Sequence, residues 1–252
     1  MGERLEAAVE HWRLGDPHPL DGGCIALVCE VEGAVLKLNP RGHRDDPQLA
    51  GEGDALAFWE ATGAVPRLLG SRDDGFTLLM ERLQPGTPMN KSGLGWEEQL
   101  ELLGALAARL HEQGDPGDGF ISMSDFCADW PGAGLKGLTA SRDDDVLLHA
   151  DLHGGNALWD GSDWTAIDPK GVRGDRHADI WALLEPDVPP LPADPDAAAE
   201  TAWSWVTRYA TAAGMEAERA GAWTRARAGA EATWITDEAW AARLRALAGA
   251  LG

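Results

Sequence analysis

The sequence predicts an α+β chain of two unequal lobes: a small β-rich N-terminal lobe with one helix, residues 1–83, and a larger, mainly helical C-terminal lobe, residues 84–252. Three observations carry that expectation. Between residues 11 and 83, short runs rich in Val, Leu and Thr are separated by turn residues, the punctuation of strands. From residue 96 onward, apolar residues recur at helical spacing. Gln84-Pro85-Gly86-Thr87-Pro88 stands where one pattern gives way to the other and has the composition of a linker.

Residues 3–12 have the make-up of a short amphipathic helix or of a lead-in to a strand, and Pro17, Pro19 and Asp21-Gly22-Gly23 make a turn. Two β-rich runs, CIALVCEV and AVLKLN, follow as a hairpin about Glu32-Gly33. Alternation sends Lys37 to the face opposite Leu36 and Leu38. Residues 49–63 (LAGEGDALAFWEATG) read as a helix ended by Gly63, with Glu52, Leu56 and Trp59 on one stripe. A carboxylate on an apolar stripe needs a cation, because a buried unpaired charge is costly. Lys37, on a strand that this helix would cover, is the candidate partner. The bland alternatives are a solvated lysine and a first-turn glutamate left in water. VPRLLG and GFTLLMERL add two more strands.

Beyond the break, residues 96–114 form an amphipathic helix with Leu100, Leu103, Leu106, Ala107 and Leu110 on one face. Residues 113–146, rich in Gly, Asp and Pro, hold a short helix near 124–130 and otherwise read as a mobile loop. Further on, Asp175 caps a helix over 177–184, a proline-rich bend covers 186–195, and three helices run near 196–213, 215–232 and 237–250. Trp181, Trp203, Trp205, Trp223, Trp234 and Trp240 read as packing residues between these helices rather than a stacking wall for a ligand.

The chemistry concentrates in residues 147–171, LLHADLHGGNALWDGSDWTAIDPKG. Residues 157–159 and 164–167 are strands about the turn Asp160-Gly161-Ser162-Asp163, so Asn156 and Asp168 emerge together at the open end of a hairpin. Asp151 lies on the loop leading in. Hard oxygen ligands with open positions suit Mg²⁺, which completes its shell with water and substrate phosphates. Asp151 is then free to take the proton of an attacking hydroxyl. A rival set, His149, Asp151 and His153 as transition-metal ligands, lacks a further pair to complete it.

Composition narrows the partners. A net charge of −21 and a sequence pI near 4.5 disfavour nucleic acid and anionic membranes, and fit either a cationic or neutral small-molecule partner or simply an acidic, solubilising surface. Cys24, Cys29 and Cys127 have no CxxC spacing and read as reduced core residues of a cytoplasmic protein. The N-terminal stretch has no signal-peptide pattern, and no segment reaches membrane-spanning length. The expected state is a monomer or a weak homodimer.

His149-Ala150-Asp151 with Asn156 has the spacing H-x-D-x-x-x-x-N, and Asp168-Pro169-Lys170 stands where protein kinases carry D-F-G. Together with IDPKG, the upstream strand lysine and the helix glutamate, the chain resembles the aminoglycoside phosphotransferase family. It is most similar to the branch of streptomycin 6-kinases and hydroxyurea kinases, whose members carry a similar HGDLHHGN followed by AIDPKG. The resemblance implies a protein-kinase-like fold, ATP and Mg²⁺ as cofactors, and transfer of the γ-phosphoryl group to an antibiotic hydroxyl, conferring resistance. It implies Asp151 as catalytic base, Asn156 and Asp168 as magnesium ligands, and Lys37, paired to Glu52, on the α and β phosphates. Met80-Glu81-Arg82-Leu83 matches the hinge, with the Glu81 carbonyl and Leu83 amide meeting adenine. His149 and Asp179 match positions that hold the catalytic loop in shape.

Departures from the family pattern are specific. No G-x-G-x-x-G precedes Lys37, only Asp21-Gly22-Gly23. Lys170 takes the place of the DFG glycine, as in the nearest branch. Residues 113–146 are shorter than the insertion that many relatives place beside the substrate, which leaves the acceptor open. A streptomycin-like aminoglycoside is the first expectation; hydroxyurea, a sugar or another metabolite is the alternative, and a non-catalytic nucleotide-binding regulator a third. Glu231, Asp237 and Glu238 are candidate anchors for a polyamine sugar that match no motif.

Overall fold

The computed structural model describes residues 1–20, 25–42, 46–130, 135, 137–140, 142 and 144–252. Asp21-Gly22-Gly23, and residues 131–134, 136, 141 and 143 of the expected mobile loop, lie outside the described residues.

Helix α1 (Gly2–Trp12) precedes strands β1 (His18–Pro19), β2 (Leu27–Val31) and β3 (Ala34–Leu38). Helix α2 (Asp46–Trp59) follows, then β4 (Leu68–Arg72) and β5 (Thr77–Glu81), which complete a five-stranded sheet in the order β1-β2-β3-β5-β4. All its pairings are antiparallel. Residues 3–12 are thus helical, the first of the two readings. The helix covers one face of the sheet: Ala8 packs with Val31, Leu36, Leu38 and Leu79. Lys37, between two leucines committed to that core, points to the other face, where α2 lies. There Glu52, Leu56 and Trp59 are all buried, as one stripe requires.

Strand β6 (Thr87–Pro88) pairs with a later hairpin, so the break after residue 83 carries a short strand rather than bare linker. Helix α3 (Trp96–His111) buries Leu100, Leu103, Leu106, Ala107 and Leu110. Strand β7 (Ile121–Ser122) and α4 (Met123–Phe126) lead to β8 (Val146–Leu148). Strands β9 (Ala157–Trp159) and β10 (Trp164–Ala166) form the hairpin, in the register Ala157↔Ala166 that sets Asn156 across from Ile167. The Ile167 amide donates to the Asn156 carbonyl at 2.9 Å, closing it. Strand β11 (Val172–Gly174) lies between β7 and β8.

One expected helix is corrected. Residues 177–184 form two single 3₁₀ turns, 176–178 and 182–184, with Asp175 capping the first through the His177 amide. Side chains claim the carbonyls that an α-helix would use: Tyr209 donates to Asp179 O at 2.7 Å and Arg227 to Ala178 O at 3.4 Å. Helices α5 (Pro195–Ala212), α6 (Ala217–Glu231) and α7 (Glu238–Ala250) close the chain where the pattern puts them. Trp223 is wholly buried and Trp205 nearly so, whereas Trp234 is 42% exposed. Among the described residues, no helix is long and apolar enough to cross a membrane.

Candidate active site

Three backbone segments meet at the site: β3, the first half of α2, and the 147–171 stretch. From β3, Lys37 reaches Glu52 at 2.7 Å and Asp168 Oδ1 at 2.5 Å. Its burial pulls the ammonium pKa down, but the two carboxylates outweigh this and raise it, so the lysine stays charged. Asn39, two residues along the strand, donates to Glu52 Oε2 at 3.2 Å and to the Leu49 carbonyl at 3.0 Å. Lys37 touches both Glu52 oxygens, and Asn39 adds a second donor on Oε2, so the carboxylate is held from two sides. Nothing in the sequence pattern singles out Asn39.

The loop carrying Asp151 is held from beneath. The buried Asp179 carboxylate accepts from the His149 and Ala150 amides at 3.0 and 2.8 Å and lies 3.0 Å from His111 Nε2. Burial pushes the Asp179 carboxyl up, yet the His111 contacts win and hold it below the usual range. Ala150 has φ 59°, a left-handed conformation unfavourable for a residue with a Cβ, and this grip on its amide holds it there. His149 Nε2 donates to the Ile167 carbonyl at 3.0 Å, while burial depresses its pKa and keeps the ring neutral. Wholly buried, His149 ties the loop to the hairpin. It is not available as a metal ligand beside Asp151 and His153.

Above that base, Asn156 Nδ2 donates to the Asp151 carbonyl at 2.9 Å and to its carboxylate at 3.3 Å. The amide oxygen Oδ1 is thereby left as the free ligand atom of Asn156. Asp168, also at positive φ (61°), presents a carboxylate about a third exposed, with Lys37 on one oxygen and Lys170 Nζ 3.4 Å from the other. Burial pushes its pKa up, and the two lysines pull it further down, so it is ionised. The two lysines keep the carboxylate ionised, and an ionised carboxylate together with the Asn156 amide oxygen is a hard-oxygen donor set of the kind that suits a divalent metal such as magnesium. Lys170 Nζ in turn lies 3.0 Å from Asp151 Oδ2. The result is an unbroken line, Glu52–Lys37–Asp168–Lys170–Asp151, with Asn156 alongside.

Glu81 and Leu83 lie outside that line, at the end of β5. Lys37 pairs with Leu78, so Glu81 sits three residues on, about 10 Å along the strand at strand rise. Arg67 takes the Glu81 carboxylate at 2.6 Å, and the Glu81 amide donates to the Arg67 carbonyl at 3.0 Å.

On the far side of Asp151 stands a group the sequence reading missed. Asp151, His153 and Glu185 bring ligand atoms within 4.8 Å of one another. Burial, reinforced by the carboxylates of Asp151, Asp187 and Glu231, pushes Glu185 up to about 8. Glu185 and Asp187 sit at a proline-rich bend whose composition reads as a connector; only the chain path brings them to the loop carrying Asp151. Of the three anchors expected for a polyamine sugar, Glu231 is buried against Arg227 at 3.0 Å. Asp237 caps α7 through the Trp240 amide, and Glu238 pairs with Arg245.

The model of the family described as aminoglycoside/hydroxyurea antibiotic resistance kinase matches residues 11–122 and 132–239. A hydroxyurea phosphotransferase of Kitasatospora aureofaciens is 30% identical, over 93% of this chain and 73% of that one. A streptomycin 6-kinase of Streptomyces glaucescens is 26% identical, over 94% and 84%. Among solved structures, a choline kinase of Streptococcus pneumoniae superposes with a TM-score of 0.66 at 11% identity, covering 99% of this chain and 98% of that one. An aminoglycoside phosphotransferase of Streptomyces rimosus, solved with ADP and streptomycin, does so with 0.56 at 16% identity, over 98% and 99%. These likenesses show the fold, two-lobed and protein-kinase-like.

Proposed function

Because the chain belongs to the aminoglycoside/hydroxyurea antibiotic resistance kinase family, phosphotransferases with a small-molecule hydroxyl as acceptor, we propose that it transfers the γ-phosphoryl group of ATP to a streptomycin-like aminoglycoside and so confers resistance. The observation that carries the reading is the line of alternating charge from Glu52 to Asp151. Its sequence of lysine, carboxylate, lysine and carboxylate supports roles as phosphate-binding cation, metal ligand and proton acceptor, the parts phosphoryl transfer needs.

In this reading the adenine lies against the Glu81 carbonyl and the Leu83 amide, in the cleft between lobes that divide at residues 83 and 84. Lys37, held by Glu52, contacts the α and β phosphates. Asp168 and Asn156 hold magnesium, whose chemistry is to neutralise phosphate charge. Asp151 orients the acceptor hydroxyl and receives its proton as that oxygen attacks the γ-phosphorus and ADP leaves. Positioning and charge account for the acceleration; no covalent intermediate with the protein is needed. The reaction requires neither nucleic acid nor membrane, and a monomer in the cytoplasm suffices.

Glu185 and Asp187 beside the base favour a cationic acceptor, since an amino or guanidino group would relieve the crowding of carboxylates there. The higher identity to the hydroxyurea phosphotransferase keeps that smaller, neutral acceptor as the second reading. Incubation with MgATP and a panel of streptomycin, other aminoglycosides, hydroxyurea and simple sugars, followed by ADP release and product mass, tests both. Phosphorylated streptomycin is the expected product; phosphorylated hydroxyurea alone would replace the acceptor, and MgATP binding without any product would sink the catalytic reading.

A further inference from the structure

Lys170 is unexplained by the roles above. It follows Asp168-Pro169, and its backbone is fixed on two sides: the Lys170 amide donates to the His149 carbonyl at 2.8 Å, and the next residue, Gly171 (φ 61°), presses against α2, where a Cβ would meet Ala55 and the Gly51 carbonyl at 3.3 and 3.4 Å. That anchoring aims the side chain between two carboxylates. Its ammonium contacts Asp151 Oδ2 at 3.0 Å and Asp168 Oδ2 at the longer distance of 3.4 Å. The side chain is 22% exposed, so its charge acts in a medium less screening than water.

Resting on the kinase reading, we infer that Lys170 is a catalytic residue that holds the phosphoryl group in flight. The bond from the acceptor oxygen to the γ-phosphorus forms as the bond to the β-bridging oxygen breaks; the acceptor proton goes to Asp151 and the electron pair stays on ADP. That group must cross from the Asp168 side of the site to the Asp151 side. Lys170 is the cation that touches both. Lys37 approaches Asp168 from the opposite oxygen, Oδ1, and belongs to the nucleotide end. Two of the Lys170 contacts, to Asp168 Oδ2 at 3.4 Å and to the Asp168 carbonyl at 3.5 Å, are too long to hold their donors firmly. Those donors are available to the equatorial oxygens of a phosphoryl group lying between the carboxylates, where transition-state charge is greatest. The rival role is a counter-ion that only keeps the two carboxylates from repelling each other.

The two roles separate in one set of measurements on wild type, Lys170→Gln, Lys170→Met and Lys170→Arg. Read for each are kcat and KM with MgATP and streptomycin or hydroxyurea, slow MgATP hydrolysis, the Kd values of MgATP and MgADP, the melting temperature, and the ratio of kcat with ATP to kcat with its γ-thio analogue. A phosphoryl contact predicts that Gln lowers kcat by about 100-fold, the typical cost of one lost transition-state donor. It also predicts unchanged MgADP affinity, a smaller thio ratio than wild type, and partial recovery of kcat and of the ratio by Arg. Equal weakening of ATP and ADP, with an unchanged thio ratio, assigns the counter-ion role and overturns the inference. Should Gln fail to fold, Met replaces it as the variant without a donor, and the ratio is compared between Met and Arg. If wild type itself neither turns over nor binds MgATP, the kinase reading fails, and this inference with it; an active wild type alongside fully active Lys170 variants refutes the inference alone.

Discussion

The two sides of the 157–166 hairpin's open end are built on different electrostatic terms. Around Lys37 and beneath the Asp151 loop, each carboxylate meets a cation or a set of amides: Glu52 has Lys37 and Asn39, Asp168 has Lys37 and Lys170, and Asp179 has His111 and two backbone amides. Around Glu185, carboxylates act on carboxylates: Asp151, Asp187 and Glu231 all push Glu185 up and Asp151 pushes Glu231 up, with Arg227 and Lys170 among the cations there. The balanced side can hold its shape with no ligand present. The crowded side lowers its free energy when a cation arrives, which is a way to select an acceptor by charge.

The largest test of this contrast is Asp151→Asn. It preserves shape and the Asn156 contact but removes the proton acceptor, so kcat should fall by about 10³-fold or more while MgATP binds nearly as before. Undiminished phosphorylation would break the base assignment. Next comes Asp179→Ala on the balanced side. It leaves the His149 and Ala150 amides and His111 without their partner, and Ala150 without what holds its positive φ, for a loss of roughly 3 kcal/mol read by denaturant unfolding.

Glu185→Gln probes the crowded side. A tenfold fall in kcat/KM for a cationic acceptor, with the KM for ATP unchanged, is expected at pH 9, where Glu185 is ionised in the wild type, and a smaller fall at pH 6. Stability should move the other way. A carboxyl raised from 4.5 to about 8 binds more protons in the folded state, so its contribution is lost as pH rises from about 5 through 8. The variant should therefore melt higher than wild type at pH 9 and at the same temperature near pH 4; equal melting at both pH values would refute the crowding. The smallest effect belongs to Arg67→Ala. Its ion pair with Glu81 is on the surface, and the proposed adenine contact uses backbone only, so neither the melting temperature nor the KM for ATP should shift measurably.

Much of the balanced side was legible in the chain. The alternation around Lys37, the stripe holding Glu52, and the hairpin that pairs Asn156 with Asp168 are local patterns of period two or 3.6, and the structure joins these residues as those periods require. The crowded side was not legible. Glu185 and Asp187 lie in a bend whose prolines report only that the chain turns, and Asn39, His111 and Lys170 carry no periodic signal. The helix expected over 177–184 failed for the same reason: the competitors for its carbonyls, Tyr209 and Arg227, come from about 30 to 50 residues away.

By itself, then, the sequence determined the fold class, the family and the chemistry of phosphoryl transfer. The fold class follows from local periodicity, which fixes which side chains share a face, and the family and chemistry from the motif resemblance of residues 147–171. Only the tertiary structure decided what surrounds Asp151: which carboxylates lie near it, which side chains hold its loop, and where Lys170 points. These are contacts between segments far apart in sequence, set by how helices and turns pack, and no local pattern encodes them.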